Sequence, residues 1–295
     1  MLSAATAGAF RLGGVTDRDA LRQPLNQAAL RAELIGTGLG WRQLDVVEQT
    51  GSTNADLLAR AASGVDVAGA VLIAEHQTAG RGRHGRGWSD SPRAQITMSV
   101  GVSVVDVPAA GWGWLSLATG VAVVDAVAPL LEVAGVQAGL KWPNDVLAGP
   151  PNQRGKLAGI LAEIARPVSG PVTVIGVGLN VTQAPEEVDG PGATSLLDLG
   201  VAAPDRDQLV RRLLRELGAR ITAWRVTRGA DLQLAADYRA RSLTIGSRVR
   251  AELPGGREVV GTASGIDDQG RLCLETDGET ETNTVVSAGD VVHLR

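Results

Sequence analysis

The chain has 295 residues, 44% hydrophobic and 20% charged, enough for one large core or for a large and a small domain. Its formal net charge of −4 excludes a surface given over wholly to nucleic acid, because phosphate binding draws on clustered Lys and Arg. The single cysteine, Cys273, excludes an internal disulfide framework and a multi-cysteine metal site.

No run reaches the roughly 20 continuous apolar residues of a membrane span. The start, Met1 to Val15, places Arg11 after its apolar residues and does not read as a secretory signal. The expectation is a soluble, cytoplasmic protein with no membrane partner. Aromatic residues make up only 3%, so the core must come mainly from Val, Leu, Ile and Ala in strand-rich layers.

In chain order, residues 1–40 are expected to form a partly disordered tail and one helix, since Leu21, Leu25, Ala29, Leu30 and Leu34 fall near helical spacing. Residues 41–240 alternate apolar strands (Val71 to Ala74, Gln95 to Val102, Thr173 to Val177) with helical stretches (Trp114 to Leu131, Gln208 to Trp224). That alternation predicts an α/β or α+β domain. In residues 241–295, short β segments are split by turn signals at Pro254-Gly255-Gly256, Asp267 to Gly270, Asp277-Gly278 and Ala288-Gly289-Asp290, which predicts a small barrel.

Three strings carry chemistry. The segment from Gln77 to Trp88 packs Arg81, Arg83 and Arg86 among Gly80, Gly82, Gly85 and Gly87 after an apolar strand. Glycines let backbone N–H groups turn inward, and arginine forks grip phosphate or carboxylate oxygens. The same glycines satisfy a dinucleotide fingerprint, but Trp88-Ser89-Asp90-Ser91-Pro92 breaks the helix that such a site needs. An RGG-like nucleic-acid contact with Trp88 as stacking platform, and a plain solvated loop, stay open at this point.

The second string, Lys141-Trp142-Pro143-Asn144-Asp145, sets a lysine at a strand end before a proline-fixed turn; an exposed lysine ahead of an Asx turn is its plainer reading. The third, Gly155-Lys156-Leu157-Ala158-Gly159-Ile160-Leu161-Ala162-Glu163 with Ile175 to Val181, reads as two buried strands whose glycines let a ligand lie flat. Gly149 to Lys156 has the wrong spacing for a phosphate loop, and Leu157 stands where Ser or Thr is required.

Together with Ser52-Thr53-Asn54, these strings in this order resemble the biotin protein ligase family, from roughly Trp41 to Arg295. The resemblance implies an α+β fold: a mixed-sheet catalytic domain flanked by helices, related to lipoate ligases and class II synthetases, followed by a small C-terminal SH3-like barrel. It implies that biotin and ATP, with Mg²⁺, form biotinyl-5′-AMP. The biotinyl group then passes to a lysine of a biotin carboxyl carrier domain of an acyl-CoA or pyruvate carboxylase. Some members add an N-terminal DNA-binding module, for which too few residues precede Trp41. No specific DNA binding and a monomer or weak homodimer are therefore expected. Lipoate or octanoate ligation or transfer is the alternative.

Residue by residue, the resemblance implies that Ser52, Thr53, Asn54, Gln77, Gly80, Arg81, Gly82 and Gly159 surround biotin. Arg83 and Lys141 touch both biotin and the reacting carboxyl–phosphoryl junction as the catalytic pair. Arg81, Arg83, Arg86, Trp88, Asn144, Lys156 and Asn180 hold the nucleotide; metal ligands are not assigned. Ser52 and Asn54 also suit a helix N-cap. Trp88 is expected to fold over the site as the loop orders, with an apolar plug on the sheet as its other reading. His84 stands where the family often has another cation, so the charge of the loop is expected to depend modestly on pH.

Overall fold

The computed structural model describes residues 17–168, 170–188, 192–253, 256–276, 282–287 and 289–294. Most of the expected N-terminal tail lies outside these residues. The expected N-terminal helix is shorter than its apolar spacing suggests: a single 3₁₀ turn at Asp19–Leu21 precedes Pro24, and the helix α1 spans only Gln27–Leu34. Asn26 caps it, its side chain accepting from Ala29 N.

A mixed seven-stranded sheet organises the larger part of the chain. Its strands are β1 (Gln43–Val47), β2 (Ala70–Ala74), β3 (Gln95–Ser103), β4 (Ala138–Lys141), β5 (Asp145–Ala148), β6 (Gly155–Ala165) and β7 (Val172–Asn180), in spatial order β1-β2-β3-β7-β6-β5-β4. β1 and β2 are parallel and joined through helix α2 (Thr53–Ala62); every other pairing is antiparallel. Alternation sorts the central strands onto two cores. Ile96, Met98, Val100, Ile175 and Val177 belong to the main core with α3 (Trp114–Val133) and α4 (Arg206–Val226). Leu72 and Val174 meet Leu57 and Ala61 of α2 on the other face. A fifth helix, α5 (Leu232–Arg241), packs on α3.

The stretch Ala109–Val133 is long and apolar enough to cross a membrane, which counting uninterrupted apolar residues misses because Ser116, Thr119 and Asp125 break the run. Its surroundings decide otherwise: 72% of the apolar window is buried inside the protein.

The C-terminal part is a five-stranded, wholly antiparallel SH3-like sheet. It comprises β8 (Arg248–Leu253), β9 (Arg257–Ile266), β10 (Leu272–Thr276), β11 (Thr282–Val286) and β12 (Asp290–His293) in order β11-β10-β9-β8-β12. Val249, Ala251, Ala263, Leu272, Leu274 and Val291 fill its core. Two tryptophans of the larger part fasten it. Trp114 Nε1 donates to the carbonyls of Asp267 and Asp268 at 3.1 and 3.0 Å, and Trp142 Nε1 donates to Gly270 O at 3.2 Å. This joint carries β12 to the end of the large sheet where β4 turns into β5.

Candidate active site

The N-terminus of α2 begins one side of the site. Ser52 is its cap, accepting from Ala55 N. Asn54 is not a cap: it lies inside the first turn, buried, and reaches across the sheet. Its Oδ1 accepts from Ser99 Oγ at 2.6 Å, and its Nδ2 donates to Leu161 O at 3.1 Å and Glu163 Oε2 at 2.9 Å. Beside it, Gln77 Oε1 accepts from Thr53 N at 2.8 Å, with Thr53 Oγ1 at 3.1 Å. Thr53 Oγ1 is also 2.7 Å from Ser99 Oγ. A buried amide and hydroxyl cluster of this kind matches a ligand that offers both a carbonyl and N–H groups.

The arginine and glycine loop closes back on itself. Gly82 N donates to Arg86 O at 2.7 Å and Trp88 N donates to Gly80 O at 2.9 Å. At its tip His84 and Gly85 both take positive φ, +56° and +75°, which reverses the chain within two residues. The return leg lays the Trp88 indole on the sheet, where it meets Gly159 of β6 and Gly178 of β7, partners in the ladder. A Cβ on Gly178 would stand 2.4 Å from Trp88 Cε2, so glycine is what lets the ring lie there. Trp88 Nε1 donates to Gln95 Oε1 at 2.7 Å, and Lys156 Nζ stands 5.5 Å from the ring centre and 2.7 Å from Asp145 Oδ1.

The cations are arranged with different degrees of commitment. Arg81 pairs with Glu163 at 2.6 Å. Arg83, largely buried, donates to Asn144 Oδ1 at 3.2 Å and Gly289 O at 3.3 Å. Burial pulls its guanidinium below the ordinary arginine range, while Asp290 opposes that shift. Arg86 pairs with Asp290 at 2.6 Å, and His84 comes within 3.9 Å of the same carboxylate. Lys141 ends β4 opposite Asp145, and its side chain makes no hydrogen bond or ion pair among the described residues. The turn that follows holds a cis Trp142–Pro143 bond, and Asn144 is pinned by donating to Ile160 O at 2.9 Å.

These side chains surround one cavity of ≈ 270 Å³. Of the residues singled out in the sequence, Ser52, Thr53, Asn54, Gln77, Arg81, Gly82, Arg83, Arg86, Trp88, Lys141, Asn144, Lys156 and Gly159 line it. Gly80 and Asn180 do not. Gly80 lies behind the loop against the Trp88 backbone. Asn180 is buried, and its Nδ2 ties Lys156 O to Thr194 O at 3.2 and 2.9 Å, so it braces the start of β6 instead of facing the cavity.

Residues 46–180 match the model of the Biotin/lipoate A/B protein ligase family, and residues 244–294 that of the Biotin protein ligase C terminal domain. The chain is 71% identical over 281 residues to the Biotin--[acetyl-CoA-carboxylase] ligase of Mycobacterium tuberculosis, covering 95% of this chain and 100% of that protein. The chain belongs to the biotin protein ligase family. It is 34% identical over 233 residues to the Bifunctional ligase/repressor BirA of Escherichia coli, covering 77% of this chain and 67% of that one. The fold is also that of the biotin protein ligase from Aquifex aeolicus solved in complex with biotin and ATP. That structure matches with a TM-score of 0.69 at 24% identity, covering 86% of this chain and 100% of the other.

Within this family frame, sequence reasoning missed several contributors. Ser99 and Glu163 complete the polar cluster from β3 and β6, while Asp290, Val291 and Val292 form cavity wall from the C-terminal sheet. Alternation places Ser99 on the same face of β3 as Thr97, a weak signal that two neighbouring polar residues share a face. Nothing local distinguishes Asp290, since Gly289-Asp290 reads as an ordinary turn. Among the described residues no group of three His, Cys, Asp or Glu is gathered to hold a metal.

Proposed function

We propose that the chain activates biotin with ATP and transfers the biotinyl group from biotinyl-5′-AMP to a lysine of a biotin carboxyl carrier domain. One observation carries the assignment. A single cavity holds the amide and hydroxyl cluster of Gln77, Thr53 and Asn54 together with Arg83, Lys141 and Lys156. The cluster suits a ureido ring, whose carbonyl and N–H groups need acceptors and donors at once. The cations suit the reacting end.

In the first step a carboxylate oxygen of biotin bonds to the α-phosphorus of ATP and pyrophosphate leaves. An anion attacks an anion, so preplaced cations are the main help available from the protein. Arg83 and Lys141 are the pair assigned to the carboxyl and phosphoryl oxygens. Asn144 and Gly289 hold two of the Arg83 nitrogens in place, which fixes the direction of the fork. Mg²⁺, carried on the phosphates, would add to the charge neutralisation, with Asp145 and Asp290 as the carboxylates in the cavity wall. In the second step the carrier lysine amine attacks the acyl carbon, AMP leaves with the bonding pair, and the amine loses its proton. Lys141 acts here through charge alone, since the nucleophile belongs to the carrier.

Gly159 and Trp88 are assigned to the walls around the acyl tail and nucleotide, and the loop keeps the mixed anhydride from water. Residues 41–240 are read as the catalytic unit and 241–295 as the barrel that lends it Asp290. The carrier is read as belonging to an acyl-CoA or pyruvate carboxylase in the cytoplasm, the enzyme as a monomer or weak homodimer without operator binding.

The test is ATP–pyrophosphate exchange by the purified chain with biotin, lipoate or octanoate as the only added acid. Exchange with biotin alone is expected. Exchange only with lipoate or octanoate overturns the substrate assignment, and none with any acid overturns the ligase reading.

A further inference from the structure

Behind Gln77, three ionisable side chains enter the interior together. Glu75, just after β2, and Arg206 of α4 pair at 2.6 Å, each with a side chain 3% exposed. Each nitrogen of the guanidinium is engaged: Nε donates to Gln95 O at 3.0 Å, Nη1 to Gln23 O at 3.0 Å and Nη2 to Glu75 Oε2. Asp90, two residues after Trp88, is the second carboxyl of the group. Its Oδ2 accepts from Gln77 N at 2.8 Å, while its Oδ1 is buried with no hydrogen-bond partner.

Two acids around one committed cation leave one acid without a counter-charge, and the shortfall falls on Asp90. The Thr97 hydroxyl beside it donates to Ala74 O at 2.8 Å and so has no proton left to offer. A neutral carboxyl removes the uncompensated charge while its other oxygen keeps the Gln77 N–H. Burial accordingly pushes the Asp90 carboxyl up to about 7, against the pull of the Gln77 N–H, Arg206 and the nearby Thr97 side chain, with Glu75 adding to the rise.

We infer that Asp90 is a positioning residue for the biotin end of the cavity, its neutral carboxyl fixing the Gln77 backbone and seating the Trp88 segment, and its ionisation loosening that seat. The inference rests on the proposed ligase reaction. Gln77 and Trp88 both line the cavity, and Asp90 itself does not, so it acts through them.

The experiment is biotin-dependent pyrophosphate exchange from pH 6 to pH 8 at saturating ATP, with KM for biotin and kcat measured for wild type, Asp90→Asn and Asp90→Ala. A carboxyl titrating near 7 is mostly neutral at pH 6 and about one-eleventh neutral at pH 8, so KM in the wild type rises up to roughly tenfold while kcat moves little. Asn offers the Gln77 N–H an acceptor and carries no charge at any pH, so its KM profile is flat by comparison. Dividing one profile by the other cancels titrations of His84 and of the substrates. Ala, which holds nothing, raises KM throughout; if Ala does not fold, the Asn comparison decides. Parallel wild-type and Asn profiles, or wild-type KM in Ala, overturn the inference alone. A folded wild type without exchange overturns the ligase reading and this inference with it.

Discussion

The Trp88 indole rests against the backbone of Gly178, and a single methyl group on that glycine would occupy its space. The ring lying flat on the β6–β7 glycines is therefore one of the protein's own, and it forms a wall of the cavity with Lys156 beside it. In this position the ring is a plug on the sheet that also forms part of the cavity lining.

Gly178→Ala is expected to displace the indole and raise KM for ATP at least tenfold, with the fold retained. The decisive measurement is a double-mutant cycle with Trp88→Ala, because without the ring there is nothing to clash. Equal costs of Gly178→Ala in the two backgrounds would show that the contact is irrelevant to binding.

Lys141→Ala and Arg83→Ala are each expected to lower the adenylation rate by on the order of 10²- to 10³-fold, the usual cost of one preplaced stabilising group. Pyrophosphate exchange measures the loss, and circular dichroism checks that the fold persists. Wild-type exchange in either variant would remove that residue from the catalytic pair.

Glu75→Ala is expected to cost about 3–5 kcal/mol of stability, since it strands a buried guanidinium whose remaining bonds go to carbonyls. Urea unfolding of Glu75→Ala, set beside a Glu75→Leu, Arg206→Met double variant, separates the pair from its parts. The double variant should lose less than the single one; the reverse order would mean that the pair itself is strongly stabilising.

Asp90 also makes stability depend on pH in a definite direction. Its folded carboxyl, near 7, holds its proton more tightly than an unfolded one with the ordinary value of 3.8. The resulting stabilisation is complete below pH about 4 and is lost as pH rises through about 7. Asp90→Asn should therefore unfold at a higher temperature than wild type at pH 8, with the gap closing at pH 5. Thermal melts at the two pH values measure it, and a gap that does not change with pH would contradict a buried, protonated Asp90.

By itself the sequence determined what is local. Short apolar segments placed β2, β3 and β7, longer helical stretches placed α3 and α4, and turn residues marked the C-terminal strands, because each pattern is written over a few successive residues. The Ser52-Thr53-Asn54 string, the arginine and glycine loop, the lysine before the proline turn and the paired glycine strands were legible for the same reason, and thirteen of the candidate residues they supplied meet in one cavity. Pro24 was legible too, yet apolar spacing alone extended the first helix through it.

Only the tertiary structure decided which partner each group meets. Sheet order brought Ser99 and Glu163 to Asn54, turned Asn180 inward to brace β6, and placed Asp90 beside a guanidinium already taken by Glu75. The docking of the C-terminal sheet carried Asp290 to Arg86, 204 positions away in the chain. Such contacts leave no trace in the spacing of neighbouring residues. They follow from how strands pair and how two sheets are fastened through Trp114 and Trp142, and those long-range arrangements set the charge and shape of the site.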